Sequence, residues 1–122
     1  MESMNILVID DEPIICSGCS LILSDLGHKV QTCMTCGEGI ENIKKTNYDL
    51  ILLDLKLPDK DGLELLKTVD NDNFGKIIVM TGYATIQSAI NSMKLGAVDF
   101  LQKPFTEEEL LETVNKVVEL GS

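Results

Sequence analysis

The chain has 122 residues, enough for one domain with a real core, and twenty acids against ten bases give it a formal net charge of −10. An acidic chain without a basic stripe or interleaved aromatics argues against direct nucleic-acid binding, and its short apolar runs cannot span a membrane. Met1-Glu2-Ser3-Met4 has no basic stretch leading into an apolar one, so a cytoplasmic location is expected.

Asn5–Asp10 reads as the first strand, a short apolar run ending in acids. Pro13 suits the first turn of a helix, with Asp11 or Glu12 as its cap. Ile15, Cys19, Ile22, Leu23 and Leu26 recur at helical spacing, and Gly27 supplies the stop. His28–Cys33 is shorter and more polar, as an edge strand should be. Cys36–Lys45 predicts a second helix, weakened by Gly37 and Gly39.

The central stretch runs from Tyr48 to Pro58. Four consecutive apolar residues, Leu50 to Leu53, lead straight into Asp54, and Pro58 forbids continuation as a central strand. Such a run is a strand buried on both faces, as in a parallel sheet. Pro58-Asp59-Lys60-Asp61-Gly62 follows as a loop. Asp61 and Glu64 have capping spacing for a helix through Leu63, Leu65, Leu66 and Val69.

Lys76–Met80 predicts the fourth strand, with Thr81-Gly82-Tyr83 as the loop after it. Ile86, Ala89, Ile90 and Met93 keep helical spacing up to Gly96, and Val98–Leu101 is a short fifth strand. In the last helix Thr106 and Glu109 form a capping box, with Phe105 and Leu110 placed as a hydrophobic staple. Its apolar face is Leu110, Leu111, Val114, Val117 and Val118. Five strands alternating with five helices predict an α/β domain, a parallel sheet with helices on both faces.

That alternation gathers Asp10, Asp11, Asp54 and Thr81 at one edge, outside the carboxyl ends of the strands, where open α/β sheets bind ligands. Three carboxylates at one edge repel unless a cation sits among them, and all-oxygen ligation suits Mg²⁺ or Mn²⁺. Taken alone, Asp10-Asp11 reads equally well as a helix cap. Thr81 adds a hydroxyl and Lys103, just past the fifth strand, an ammonium. Metal, carboxylate nucleophile, hydroxyl and ammonium together equip a site for phosphoryl transfer onto a carboxylate. An apolar run ending in Asp-Asp also suits a P-loop nucleotidase, but the chain has no G-x-x-x-x-G-K-[ST] loop.

Cys16-x-x-Cys19 and Cys33-x-x-Cys36 have zinc-ligand spacing. Cys19 falls on the apolar stripe of its helix, however, and buried structural thiols are the expected outcome for all four.

Asp10-Asp11, Asp54, Thr81 and Lys103-Pro104 in this order resemble the receiver domain of two-component response regulators. The likeness extends from Asn5 to Leu120, with 1–122 expected as one receiver domain and no output domain in this chain. Supporting stretches are Leu57-Pro58-Asp59-Lys60-Asp61-Gly62-Leu63-Glu64-Leu65-Leu66 and Lys94-Leu95-Gly96-Ala97-Val98-Asp99-Phe100-Leu101-Gln102-Lys103-Pro104-Phe105. Met80-Thr81-Gly82-Tyr83-Ala84-Thr85 further resembles receivers of nitrogen-regulator-type, enhancer-binding transcription activators. The resemblance implies a doubly wound, flavodoxin-like (βα)5 three-layer sandwich with strand order 2-1-3-4-5.

It also implies roles. Asp54 accepts phosphoryl from a sensor histidine kinase, and Thr81 and Lys103 grip phosphoryl oxygens. Asp11, Asp54 and the Lys56 carbonyl hold Mg²⁺, while Asp10 acts through a coordinated water. Lys103-Pro104 is implied to be cis. Thr81 and the ring of Phe100 act as the switch, where many relatives have tyrosine, whose hydroxyl Phe100 lacks. The face of the fourth helix, fifth strand and fifth helix then engages an output domain, an effector or a second copy. Lys56 and Tyr83 flank the path of attacking water and are expected to lengthen the phosphoryl lifetime.

Three rival readings fit the sequence less well. A haloacid-dehalogenase-like phosphatase needs Asp-x-Asp, and Asp54-Leu55-Lys56 lacks its second acid. A flavodoxin-like cofactor binder needs a phosphate loop where Asp10-Asp11-Glu12-Pro13 would repel the anion. A scaffold receiver that is never phosphorylated has no need of the acceptor-site residues present here.

Overall fold

The computed structural model describes residues 3–68, 75–82 and 86–120. Five strands alternate with five helices: β1 (Asn5–Ile9), α1 (Pro13–Asp25), β2 (Lys29–Cys33), α2 (Cys36–Lys45), β3 (Leu50–Asp54), α3 (Gly62–Thr68), β4 (Lys76–Thr81), α4 (Ile86–Lys94), β5 (Asp99–Gln102) and α5 (Glu107–Leu120). The strands pair in parallel in the order β2-β1-β3-β4-β5, as expected, which leaves β2 at an edge.

Strand pleating sorts the core into two layers. Leu7, Ile9, Ile51, Leu53, Ile77 and Val79 face Cys36, Ile43, Leu65 and Leu66 of α2 and α3. Ile6, Val8, Leu50, Leu52, Ile78 and Met80 face Cys16, Cys19 and Leu23 of α1 and Leu110, Val114 and Val117 of α5. Both sets are buried, which is why these strands read as continuous apolar runs rather than alternating ones. Fully burying one such side chain is worth about 1.5–3 kcal/mol, so Leu110, Val114 and Val117 anchor α5 against the sheet.

Local signals account for most boundaries. Thr106 Oγ1 accepts from Glu109 N–H at 3.1 Å, and the Glu109 carboxylate accepts from Thr106 N–H at 3.0 Å, the reciprocal pair the spacing predicts. Asp61 Oδ1 accepts from Leu63 N–H at 3.0 Å. Gly27 and Gly96 end their helices at φ of +91° and +110°. The expected helix residue Val69 lies outside the described residues.

The structure differs from expectation at four points. Glu12, one of the two residues expected there, occupies the cap position of α1, but its side chain makes no capping hydrogen bond. Asp10 Oδ1 instead accepts from Glu12 N–H at 2.8 Å, and that turn ends β1 one residue early. Strand β5 is shifted by one residue from 98–101, although Val98 N–H already donates to Ile77 O at 2.8 Å. Thr81 is the last residue of β4 rather than the first of a loop.

Gly62 bears most directly on the sheet edge. Its N–H donates to Leu55 O at 2.7 Å, and a Cβ there would lie 2.5 Å from Asp54 O and 2.7 Å from Leu55 Cα. Backbone cannot yield as a side-chain tip can. Gly62→Ala is therefore expected to lower unfolding free energy by about 1–3 kcal/mol, measured by urea denaturation; an unchanged midpoint would contradict this packing.

Candidate functional site

Each acid arrives by a different route to one place. Parallel pairing aligns Ile9 with Leu53 and Asp54 with Met80, so β1, β3 and β4 end side by side. Asp10 follows β1, Asp54 ends β3 and Thr81 ends β4; all three are buried. Lys103 follows β5, where Thr81 pairs with Gln102 and Lys103 N–H donates to Thr81 O at 3.0 Å. The Lys103-Pro104 peptide is cis.

The Lys103 ammonium is the hub. It lies 2.6 Å from Asp10 Oδ2, 2.9 Å from Glu12 Oε1 and 3.1 Å from Asp54 Oδ2. Burial by itself would lower its pKa; hydrogen bonds to the Asp10, Glu12 and Asp54 carboxylates outweigh that and hold it above the ordinary lysine value. Burial pushes the Asp10 carboxyl up, with Lys103 and the Glu12 N–H opposing. Asp54 Oδ1 accepts from Lys56 N–H at 3.1 Å, so both oxygens of Asp54 are oriented.

Among the described residues, one group of carboxylates is placed to hold a metal ion. Asp10, Asp11, Glu12 and Asp54 each offer an oxygen within 4.8 Å of the others. Asp10 Oδ2 is buried and held by the Lys103 ammonium at 2.6 Å, the cation it shares with Glu12 and Asp54. Four hard carboxylate donors gathered against a single ammonium fit a divalent cation well. Asp11, Glu12, Asp54, Lys56 and Thr81 line an open cleft of about 410 Å³ at this edge.

Two contributors are not among the site residues the sequence predicts. Glu12 joins both the acid group and Lys103; the only local signal is the run Asp10-Asp11-Glu12. Asp59 reaches from the loop after β3 to the start of α2, where Oδ1 accepts from Cys36 N–H at 2.9 Å and Oδ2 from Gly37 N–H at 2.9 Å. Hydrogen bonds from Gly37 and Cys36 hold its carboxyl below the usual range. The clasp ties the Lys56–Pro58 segment to the rigid second helix, a contact between positions too far apart for spacing to reveal.

The cysteines do not converge on one site. Cys16 and Cys19 belong to the layer under α1 and α5, Cys33 and Cys36 to the opposite layer. All four are free and buried, and burial pushes the Cys19 and Cys33 thiols up to about 12. Phe100 is half-buried against the α2 and α3 layer. Tyr83 lies outside the described residues.

Residues 6–115 match the family model for the response regulator receiver domain. The chain is 34% identical over 116 residues to the cell cycle response regulator CtrA of Brucella ovis, covering 94% of this chain and 50% of that one. It thus spans about half the length of the curated relatives it matches. Its structure resembles a CheY-like receiver domain protein from Methanospirillum hungatei JF-1, with TM-score 0.88, 34% identity, and 97% and 96% of the two chains covered. NtrX from Brucella abortus gives TM-score 0.88 at 29% identity, covering 98% of this chain and 28% of that one.

Proposed function

Since this chain belongs to the response regulator receiver domain family, we propose that it receives a phosphorelay signal by accepting phosphoryl on Asp54 from a sensor histidine kinase. The observation that carries this reading is the buried Asp54 carboxylate, oriented at both oxygens and open to a cleft beside one ammonium. In the transfer, the bond from phosphorus to the donor imidazole nitrogen breaks and its electron pair returns to that nitrogen. An Asp54 oxygen forms the new P–O bond, giving an acyl phosphate.

Lys103 offsets the charge of phosphoryl oxygens, and the Thr81 hydroxyl donates to one of them. Asp11, Asp54 and the Lys56 carbonyl would hold Mg²⁺ or Mn²⁺, with Asp10 acting through a coordinated water. A bound Mg²⁺ supplies further neutralisation of phosphoryl charge. Lys56 lines the cleft and, with Tyr83, is assigned to obstruct attacking water.

Output follows as a population shift. Thr81 moving toward phosphoryl leaves space that the Phe100 ring fills, and packing rather than a hydroxyl bond reports the inward state. The face of α4, β5 and α5 then engages an output domain, an effector or a second copy, and transcription is the expected target. Ile90 and Met93 of α4 are exposed, apolar surface that a partner docking on α4 would cover.

Intact mass after incubation with acetyl phosphate tests the acceptor. The expected result is a Mg²⁺-dependent gain of one phosphoryl group, absent in Asp54→Asn; a gain persisting in that variant would contradict the assignment. The adduct should decay faster in the double variant Lys56→Ala, Tyr83→Ala, and equal decay would remove the shielding role. Sedimentation with fluoroberyllate, a phosphoryl mimic, should show association weakened by Ile90→Glu. No change on adding the mimic would count against phosphorylation-dependent self-association.

A further inference from the structure

An ammonium has three N–H donors, and here three carboxylates surround one Nζ within 3.1 Å: Asp10, Glu12 and Asp54. These partners are not equivalent. The Asp10 side chain is 0% exposed and that of Asp54 5%, both fixed at strand ends, whereas the Glu12 side chain is 58% exposed. Glu12 lines the open cleft together with Asp54. It is therefore the partner that gives way at the least cost, because an exposed carboxylate returns to water without a desolvation penalty.

We propose that Glu12 is a built-in competitor for phosphoryl: in the resting state its carboxylate occupies the cleft-side donor of Lys103, and it must swing into solvent before Lys103 can grip a phosphoryl oxygen on Asp54. The inference rests on the phosphoryl-acceptor reading of Asp54 and adds a resting-state contact to it. No bond is made or broken in this step; one anion replaces another at the same ammonium. A phosphoryl group brings more negative charge than Asp54 alone, so repulsion from Glu12 adds to the lost ion pair. Glu12 is a positioning residue, setting how readily Lys103 becomes available rather than reacting itself.

The inference is tested by ¹⁹F nuclear magnetic resonance titration of fluoroberyllate at saturating Mg²⁺, on the full chain, Glu12→Gln and Glu12→Ala, each checked for an unchanged thermal midpoint. Saturating Mg²⁺ removes any effect of Glu12 on metal affinity from the readout. Both variants should bind the anion more tightly, Glu12→Ala by about tenfold, since exposed ion pairs are individually modest and repulsion is relieved as well. Affinity equal to the parent, or weaker, in Glu12→Ala overturns the inference. If the parent itself binds no fluoroberyllate while Mg²⁺ binds, the acceptor reading fails instead, so the two failures are distinguishable.

Discussion

The site depends on one ammonium placed among carboxylates that would otherwise repel each other. Two like charges 4 Å apart near a protein surface cost about 4 kcal/mol at an effective dielectric of 20. Asp10 and Asp54 are both buried, so neither can turn into solvent to relieve that cost. Lys103, within 3.1 Å of both, makes the arrangement tolerable. The rest of the fold delivers that ammonium. Strands β1, β3, β4 and β5 end side by side, the apolar face of α5 is pinned against the sheet, and Lys103 N–H is bonded to the end of β4.

The same cluster remains short of positive charge: against the one Lys103 ammonium, an oxygen from each of four acids crowds within 4.8 Å of the others. An all-oxygen group of this kind is incomplete until positive charge arrives, and it takes a hard cation more readily than a soft one. The loop after β3 is held for this from two sides. Gly62 lets its end press against the Asp54 carbonyl, and Asp59 clasps it to the start of α2. Both features keep Lys56 where its N–H orients Asp54.

Much of this was legible in the sequence because buried parallel strands carry a strong signal. Leu50–Asp54 is wholly buried, and its four apolar residues between a polar stretch and Asp54 carry the unbroken pattern of a strand covered on both faces. The capping box at Thr106 and Glu109 and the stops at Gly27 and Gly96 are local, so spacing sufficed. Glu12 was not legible, because its partner Lys103 lies far away in the chain and a surface acid after two others reads as solvation. Asp59 escaped for a similar reason, since its partners are backbone N–H groups that leave no trace in composition. The cysteine pairs come out as expected despite their zinc-like spacing: all four are buried and free, and the sheet places the two pairs in opposite layers.

Several carboxylates lie in reach of one cleft, and the proposed signalling role requires that Asp54 be the one that becomes an acyl phosphate. Borohydride reduction of the phosphorylated protein, followed by peptide mass mapping, distinguishes them, because only a carboxyl activated as a mixed anhydride is reduced to an alcohol. Homoserine is expected at position 54, with unmodified aspartate at positions 10 and 11. Homoserine at either of those positions, with Asp54 intact, would contradict the assignment.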